Sequence, residues 1–235
     1  MPDPSLNSSC LYVESNGKRF LFDCGEGCAA QLIRHGLDGE ALDAVFISHY
    51  HPDHVSGLFM LLQMLYLQKR IKPLQLFLPE RPAEMMELLQ MTYTFPKRFS
   101  FSLNVFDCAE AELYHEEIRA QRNDHLAGYR EFVEDHGLPH QFLSYSFRVS
   151  SPAGDLVYTS DLGSTDSVRS LVRDCHTAIV DALHPEAAQI IKLQYLGLRR
   201  VLLTHGISQQ LRDTLSAVPV PLFSAARQDE VYEII

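Results

Sequence analysis

The sequence lacks any apolar run long enough to cross a bilayer. Its most apolar stretch, Leu58 to Leu67, falls well short of the roughly 20 residues that a transmembrane helix needs. No signal peptide precedes Leu6, and we therefore expect a cytoplasmic protein with no membrane partner. Basic residues are also scarce, since 20 Lys and Arg stand against 30 Asp and Glu, for a net charge of -10. That balance argues against a broad nucleic-acid-binding surface, although bound cations would make a site locally positive.

Paired cysteine spacing is missing as well. The five cysteines are an odd number, and no two of them have the spacing of a zinc knuckle: Cys10, Cys24, Cys28, Cys108 and Cys175. We interpret them as small buried residues in a reducing cytosol rather than as a disulfide framework. The 235 residues are 46% hydrophobic and 21% charged, which is ordinary for a globular protein. We expect a single domain over residues 1–235.

What the sequence does contain is a dense polar motif between two apolar segments. Three of the chain's 11 histidines and an aspartate fall within residues 49–54. The run Ala44 to Ile47 predicts a buried strand, and Leu58 to Leu67 predicts a buried helix. The polar side chains are therefore expected on a strand-to-helix loop, where a rigid scaffold presents functional groups.

The spacing within the motif suits metal binding. His49 and His51 are two residues apart in extended backbone, so both can point the same way and bind one cation. Pro52 fixes its own φ and holds His51 extended. Asp53 and His54 then face away from the first pair, where they could bind a second cation.

The motif also resembles a known signature. Residues 49–54 read His-x-His-x-Asp-His, which is similar to the signature of the metallo-β-lactamase superfamily. Residues 20–27 (Phe-Leu-Phe-Asp-Cys-Gly-Glu-Gly) and 42–49 (Leu-Asp-Ala-Val-Phe-Ile-Ser-His) resemble the amino-terminal third of ribonuclease Z enzymes. The predicted strands form two groups, each followed by strand–helix alternation. The resemblance and this order both imply an α/β fold, the four-layer αββα sandwich.

The resemblance implies further ligands beyond the motif. A two-metal site needs about seven protein ligands, so three more are expected on later loops. Asp161 follows the predicted strand Asp155 to Thr159 and matches the family's bridging aspartate. His205 ends another predicted strand and matches the last ligand of the family. The sequence thus predicts that His49, His51, Asp53, His54, Asp161 and His205 bind metal.

Two positions compete for the third histidine ligand. His125 directly follows the predicted strand Glu117 to Arg122, where the family places this ligand. His140 lies five residues before Tyr145, a spacing that resembles the ribonuclease Z form of the motif. We favour His125, because a strand end holds a ligand better than a position beyond a mobile helix. Residues 126–140 would then be an insertion that could act as a lid.

Asp181 and His184 end one more predicted strand. They fall where ribonuclease Z has a catalytic Glu and His pair, although residue type and spacing differ. They could protonate the leaving oxygen or orient a metal ligand, and Asp181 could equally cap a helix beginning at Pro185.

Together these features predict a metal-dependent hydrolase, with Asp53, Asp181 and His184 as catalytic residues. The resemblance implies two divalent ions, Zn²⁺ first and Mn²⁺ or Fe as alternatives, with a hydroxide bridging them that attacks a phosphodiester of RNA or of a nucleotide. Two alternatives stay open: hydrolysis of a thioester, lactone or lactam, and a metal-bound scaffold that binds nucleotides without turnover. A homodimer is the oligomeric state that we expect.

Overall fold

The computed structural model describes residues 7–217 and 220–234, and the chain divides into two compact units, Met1–Ala111 and Glu112–Ile235. The single domain over residues 1–235 stays a prediction. Among the helices of the described residues, none combines the length and the apolar character that crossing a membrane requires.

The amino-terminal unit is built on a five-stranded sheet in the order β1-β2-β3-β4-β5. Its strands are β1 (Leu11–Ser15), β2 (Lys18–Phe22), β3 (Ala44–Phe46), β4 (Leu74–Leu78) and β5 (Leu103–Asp107). The residues Ser15-Asn16-Gly17 predict a hairpin, and the first two strands do pair antiparallel. Asn16 and Gly17 have the left-handed φ values, 51° and 75°, that a tight turn needs. Strands β2 to β5 are parallel, so their carboxyl ends lie at one edge of the sheet.

Helices of this unit alternate with the parallel strands. They are α1 (Cys28–Arg34), α2 (Pro52–Val55), α3 (Leu58–Leu67) and α4 (Pro82–Met91), with short 3-10 turns at Gly39–Ala41, Pro96–Arg98 and Cys108–Glu110. Leucines of α1 and α3 pack with Leu21, Val45 and Leu76 of the sheet in one core cluster. Residues 53 and 54 lie in α2, not on a loop as expected, because Pro52 supplies the fixed φ of a first helical position.

The carboxyl-terminal unit contains a six-stranded sheet in the order β11-β10-β9-β8-β7-β6. Its strands are β6 (Ile118–Arg122), β7 (Tyr145–Val149), β8 (Leu156–Tyr158), β9 (Thr177–Ala182), β10 (Arg200–Ile207) and β11 (Phe223–Ala225). Strands β7 and β8 form the hairpin predicted from residues 151–154. Strands β8 to β11 are parallel, and β10 carries a bulge after Thr204, where His205 and Gly206 have φ of 63° and 82°.

The helices of this part of the chain are short. They are α5 (Ala111–Tyr114), α6 (Arg130–Asp135), α7 (Arg169–Val172), α8 (Ala187–Lys192) and α9 (Gln209–Ala217), with 3-10 turns at His125–Tyr129, Thr165–Val168 and Leu193–Tyr195. The sequence predicts a helix from Gln209 to Ala217, and α9 has these bounds. Its Leu211 joins a core cluster with Val180, Ile190 and Val201.

Several predicted bounds are wrong for local backbone reasons. The strand expected from Phe142 begins only at Tyr145, because Phe142 has a left-handed φ of 59°. The helix expected from Pro185 begins at Ala187, because the backbone of Glu186 is extended. Pro219, where the last strand was expected to begin, lies outside the described residues.

Arg70 is the largest fully buried side chain of the amino-terminal unit, at 2% exposure. Its guanidinium donates to the carbonyl oxygens of Gly39, Leu42 (2.7 Å) and Pro73 (2.8 Å), and it lies 5.6 Å from the ring centre of Phe101. The guanidinium of one arginine thus satisfies three backbone carbonyl groups.

We expect Arg70→Met to lower the free energy of unfolding by about 3 kcal/mol, because the carbonyls of Gly39 and Leu42 lose their charged donor in buried hydrogen bonds. Urea denaturation followed by circular dichroism measures the loss. Arg98→Met, an identical change at an exposed position, is the control and should stay within about 0.5 kcal/mol of the parent. Equal stability of the two variants would contradict this role of Arg70.

Candidate metal centre

Two loops of the amino-terminal unit are tied together by their backbones. Cys24 donates its N–H to the carbonyl of His54 at 2.8 Å and accepts from the N–H of Gly57, also at 2.8 Å. A Cβ at Gly25 would overlap the carbonyl oxygen of Asp53, and one at Gly57 would overlap the carbonyl oxygen of Gly25. The loop after β2 and the motif can therefore approach this closely only with glycine at both positions.

The histidines of the motif form a cluster of rings. The ring centre of His49 lies 4.7 Å from that of His51 and 4.2 Å from that of His54. The expectation that His54 faces away from the first pair is therefore wrong, because the turn of α2 brings it back beside His49. The side chain of His54 is fully buried, whereas that of Asp53 is 47% exposed.

Asp23 is a residue of this site that the sequence reasoning missed. Its buried Oδ2 lies 2.7 Å from Nδ1 of His54, and its Oδ1 accepts the N–H of Ser48 at 2.8 Å. His49 is oriented in a similar way, with its Nδ1 3.0 Å from Oγ of Ser48. In both rings Nδ1 is engaged, which leaves Nε2 as the ligand atom. The signal in the sequence was a lone carboxylate directly after the apolar residues 20–22.

Neighbouring groups hold the motif without supplying thiolates. The hydroxyl of Tyr50 donates to the carbonyl of Glu80 at 2.7 Å, and burial raises the pKa of Tyr50. Sγ of Cys10 and Sγ of Cys28 are 2.8 Å apart, and this hydrogen bond, followed by burial, raises the pKa of the Cys10 thiol. Burial raises the pKa of Cys108 as well. No cysteine belongs to the groups of potential ligands among residues 7–217 and 220–234, so nitrogen and oxygen are the donor atoms of these groups.

A second group of candidate ligands lies in the carboxyl-terminal unit around Asp161, which is 3% exposed. Oδ2 of Asp161 lies 3.4 Å from Nε2 of His205, 3.6 Å from Nε2 of His125 and 3.9 Å from Nδ1 of His184. Ligand atoms of Asp161, His184 and His205 all lie within 4.8 Å of one another. The loops after β6, β8, β9 and the bulge of β10 therefore bring together the residues predicted from four separate segments.

Asp181 orients His184. Oδ2 of Asp181 lies 2.8 Å from Nδ1 of His184 and accepts the N–H of Leu162 at 2.9 Å, and its Oδ1 accepts the N–H of Leu183 at 2.9 Å. Asp181 therefore holds both His184 and the residue after Asp161. The alternative role as the cap of a helix is wrong, since α8 begins at Ala187 with Glu186 at its cap.

Two residues between β6 and His125 also escaped the sequence reasoning. Asn123 accepts the N–H of His125 at 3.1 Å, and Oδ1 of Asp124 accepts the N–H groups of Gly163 (3.0 Å) and Ser164 (2.9 Å). They link the backbone of His125 to the loop that carries Asp161. Their signal was only an Asn-Asp pair before a histidine, which is also ordinary turn chemistry.

His140, the competing third histidine, is exposed. Among residues 7–217 and 220–234, it belongs to no group of potential ligands, whereas His125 lies beside Asp161.

The donors of both units fit a divalent cation. Each unit offers imidazole nitrogens and a carboxylate, the ligand types that zinc and other first-row metals accept. In each unit a buried carboxylate also binds Nδ1 of one histidine, Asp23 to His54 and Asp181 to His184. Such carboxylate–histidine pairs fix the tautomer and the ring orientation of metal ligands.

We expect Asp23→Asn to weaken metal binding by about 10–100-fold, because the amide cannot orient His54 as the carboxylate does. Competition with a chromophoric chelator measures the affinity. Glu26→Gln removes an exposed carboxylate from the same loop and should leave metal affinity unchanged. Unchanged affinity in Asp23→Asn would contradict the orienting role.

Known proteins resemble this chain over the same framework. Ribonuclease Z of Natronomonas pharaonis is 35% identical over 132 residues, which are 54% of this chain and 42% of that enzyme. The chain spans less than half the length of several such curated relatives. The crystal structure of the short form of human tRNase Z superposes with a TM-score of 0.73 at 20% identity, covering 100% of this chain and 95% of that one.

The metallo-β-lactamase fold protein YhfI from Bacillus subtilis superposes with a TM-score of 0.68 at 19% identity, covering 95% of this chain and 89% of that one. These likenesses confirm the predicted fold class and the resemblance to ribonuclease Z. The family described as Anti-Pycsar protein Apyc1 matches residues 4–214, nearly the whole chain. The chain therefore belongs to the Anti-Pycsar Apyc1 family, and its fold is the metallo-β-lactamase fold.

Proposed function

We propose that this protein is a metal-dependent phosphodiesterase that hydrolyses a phosphodiester of RNA or of a nucleotide. The observation that carries the proposal is the group around Asp161, where His125 and His205 face its carboxylate and His184 is held by Asp181. A buried carboxylate among three imidazoles suits cations, and one of these imidazoles, His184, lies where it could serve as an acid. The names of the ribonuclease Z relatives support the same reaction class.

We assign the candidate ligands to two cations. As the resemblance implies, His49, His51 and His125 would hold one, Asp53, His54 and His205 would hold the other, and Asp161 would be a ligand of both. The nitrogen and oxygen donors favour Zn²⁺ and also admit Mn²⁺ or Fe. When bound, such cations lower the pKa of water and offset negative charge on phosphoryl oxygens. The chain contributes the orientation of these ligands through Asp23 and Asp181.

His184 is our candidate for the general acid. Asp181 contacts its Nδ1 and orients the ring, and in this proposal Nε2 gives a proton to the leaving oxygen of the ester. The side chain of His184 is 37% exposed, whereas that of Asp181 is 1% exposed. The proton donor can therefore exchange with solvent while the carboxylate that positions it is shielded from water.

The substrate class follows from charge as well as from the ligands. A net charge of -10 disfavours a long RNA track, so a small nucleotide phosphodiester suits the surface better. Thioester, lactone or lactam hydrolysis and metal-dependent nucleotide binding without turnover are the competing functions. A side-by-side assay with bis-p-nitrophenyl phosphate, a thioester and a lactam separates them.

The cytoplasmic location, the homodimer and a lid formed by residues 126–140 stay predictions.

Elemental analysis should find about two transition-metal ions per chain, in keeping with a shared carboxylate and two ligand sets.

We expect His125→Ala to lower metal affinity at least about 10–100-fold, because even indirect changes around a ligand have that effect. His140→Ala is the matched control, since it removes an exposed imidazole from the same segment. The reverse result would move the ligand to residue 140.

Asp53→Ala should abolish turnover of bis-p-nitrophenyl phosphate without unfolding the chain. The side chain of Asp53 is half exposed, so its loss leaves no cavity in the core. Its carboxylate is nonetheless assigned to hold one cation. Steady-state rates and far-ultraviolet circular dichroism are the measurements. Near-parental turnover by a folded Asp53→Ala protein would contradict the two-metal proposal.

A further inference from the structure

Three of the five cysteines lie together in the amino-terminal unit. Sγ of Cys10 lies 2.8 Å from Sγ of Cys28, and the thiol of Cys28 is also hydrogen-bonded to that of Cys24. The other two cysteines, Cys108 and Cys175, donate their thiols to backbone carbonyls, each at 3.3 Å. The fold thus brings Cys10, before β1, into direct contact with the first residue of α1, 18 positions further along the chain.

The contact between Cys10 and Cys28 is close enough for a disulfide to form with little movement. The sulfur atoms of a disulfide are about 2.05 Å apart, so these two Sγ atoms need to approach by roughly 0.8 Å. Thiols that a fold holds in contact react with each other much faster than with thiols in solution. Cys24 and Cys28 are buried, whereas Cys10 is half-buried. Cys10 is therefore the member of the cluster that a small oxidant reaches first.

The residue before Cys10 lies directly on the histidine motif. Ser9 donates its N–H to the carbonyl of Asp53 at 3.0 Å and accepts the N–H of Gly25 at 2.9 Å. The Oγ of Ser9 also lies 3.4 Å from Nε2 of His54, the candidate ligand atom. These contacts are hydrogen bonds and can open reversibly, whereas a covalent bond at residue 10 would keep Ser9 beside the motif.

Cys28 is anchored on the other side of the same junction. Its N–H donates to the carbonyl of Gly25 at 3.2 Å, and the backbone of Cys24 is bonded to both His54 and Gly57. The loop that carries Cys28 is therefore already attached to the motif. A disulfide between Cys10 and Cys28 would close a ring that limits how far Ser9 can move away from this loop.

We propose that Cys10 and Cys28 form a reversible disulfide that fastens the segment before β1 to the histidine motif. With hydrogen peroxide as the oxidant, the thiol of Cys10 is first oxidised to a sulfenic acid, and one water is released. The sulfur of Cys28 then attacks the sulfur of Cys10, the S–S bond forms, and the hydroxyl leaves with the proton of Cys28 as a second water. Two electrons pass from the two thiols to the peroxide. The inference goes beyond the proposed function and does not depend on the phosphodiesterase reaction.

Peptide mapping of the zinc-loaded protein tests the bond directly. Trypsin cleaves after Lys18, Arg19 and Arg34, so Cys10 lies on peptide 1–18 and the other two cysteines of the cluster lie on peptide 20–34. After treatment with peroxide we expect a link between these peptides that dithiothreitol removes. The hydrogen bond with Cys28 and burial raise the pKa of the Cys10 thiol, so the link should form over minutes rather than seconds.

Two matched serine variants locate the bond. Cys24→Ser should keep the link and Cys28→Ser should lose it, although both changes replace a buried thiol of the same loop. A link that survives in Cys28→Ser, a bond inside peptide 20–34, a link between two copies of the chain, or oxidation of Cys10 without any link would each overturn the proposal. Mapping of the parent protein gives this decision even where a serine variant fails to fold.

Release of zinc to a chromophoric chelator measures whether the bond fastens the segment. We expect release from the oxidised parent to be about tenfold slower than from the reduced parent, because opening of the motif then requires a ring to distort. Cys28→Ser should release zinc at the same rate with and without peroxide, which controls for oxidation elsewhere. Equal rates for the two forms of the parent would overturn the proposal. None of these measurements uses turnover, so this inference and the phosphodiesterase proposal can fail separately.

Discussion

The buried contact between Asp23 and His54 is the constraint on which the amino-terminal ligand group depends. A carboxylate with no exposed surface is costly unless its oxygens are paired, and here one oxygen meets His54 while the other accepts the N–H of Ser48. Because Ser48 directly precedes His49, one carboxylate sets the positions of two histidines. Backbone hydrogen bonds from Cys24 to His54 and from Gly57 to Cys24 hold the loop after β2 against the histidine motif.

The carboxyl-terminal unit contains a similar buried contact between a carboxylate and a histidine, made by different residues. Asp181 binds Nδ1 of His184 and the N–H of Leu162, so it positions a histidine and the loop of Asp161 together. Asp124 holds the chain after Asp161 in place by accepting hydrogen bonds from two backbone N–H groups. In both units the acidic residue that shapes the site is a neighbour of the ligands. This arrangement keeps the ligands' own nitrogens available and limits their rotation.

The edges of the two sheets explain why these groups meet within each unit. Parallel strands present their carboxyl ends together, so residues distant in sequence arrive at one edge. Strand β10 ends in a bulge that gives His205 a left-handed φ and turns its ring towards Asp161.

The sequence by itself determined the motif at residues 49–54, both hairpins, most strands and the candidate ligands Asp161 and His205. These are local signals: the alternation of apolar residues, turn residues with left-handed φ, and polar side chains at strand ends. Only the tertiary structure decided that Pro52 begins a helix and returns His54 to His49, that Phe142 delays β7, and that Asp23, Asn123 and Asp124 shape the site. A single carboxylate after a strand has the same sequence context whether it lies in a turn or contacts a metal ligand. Its role depends on which backbone N–H and imidazole the fold brings within hydrogen-bonding distance, and sequence spacing does not contain that information.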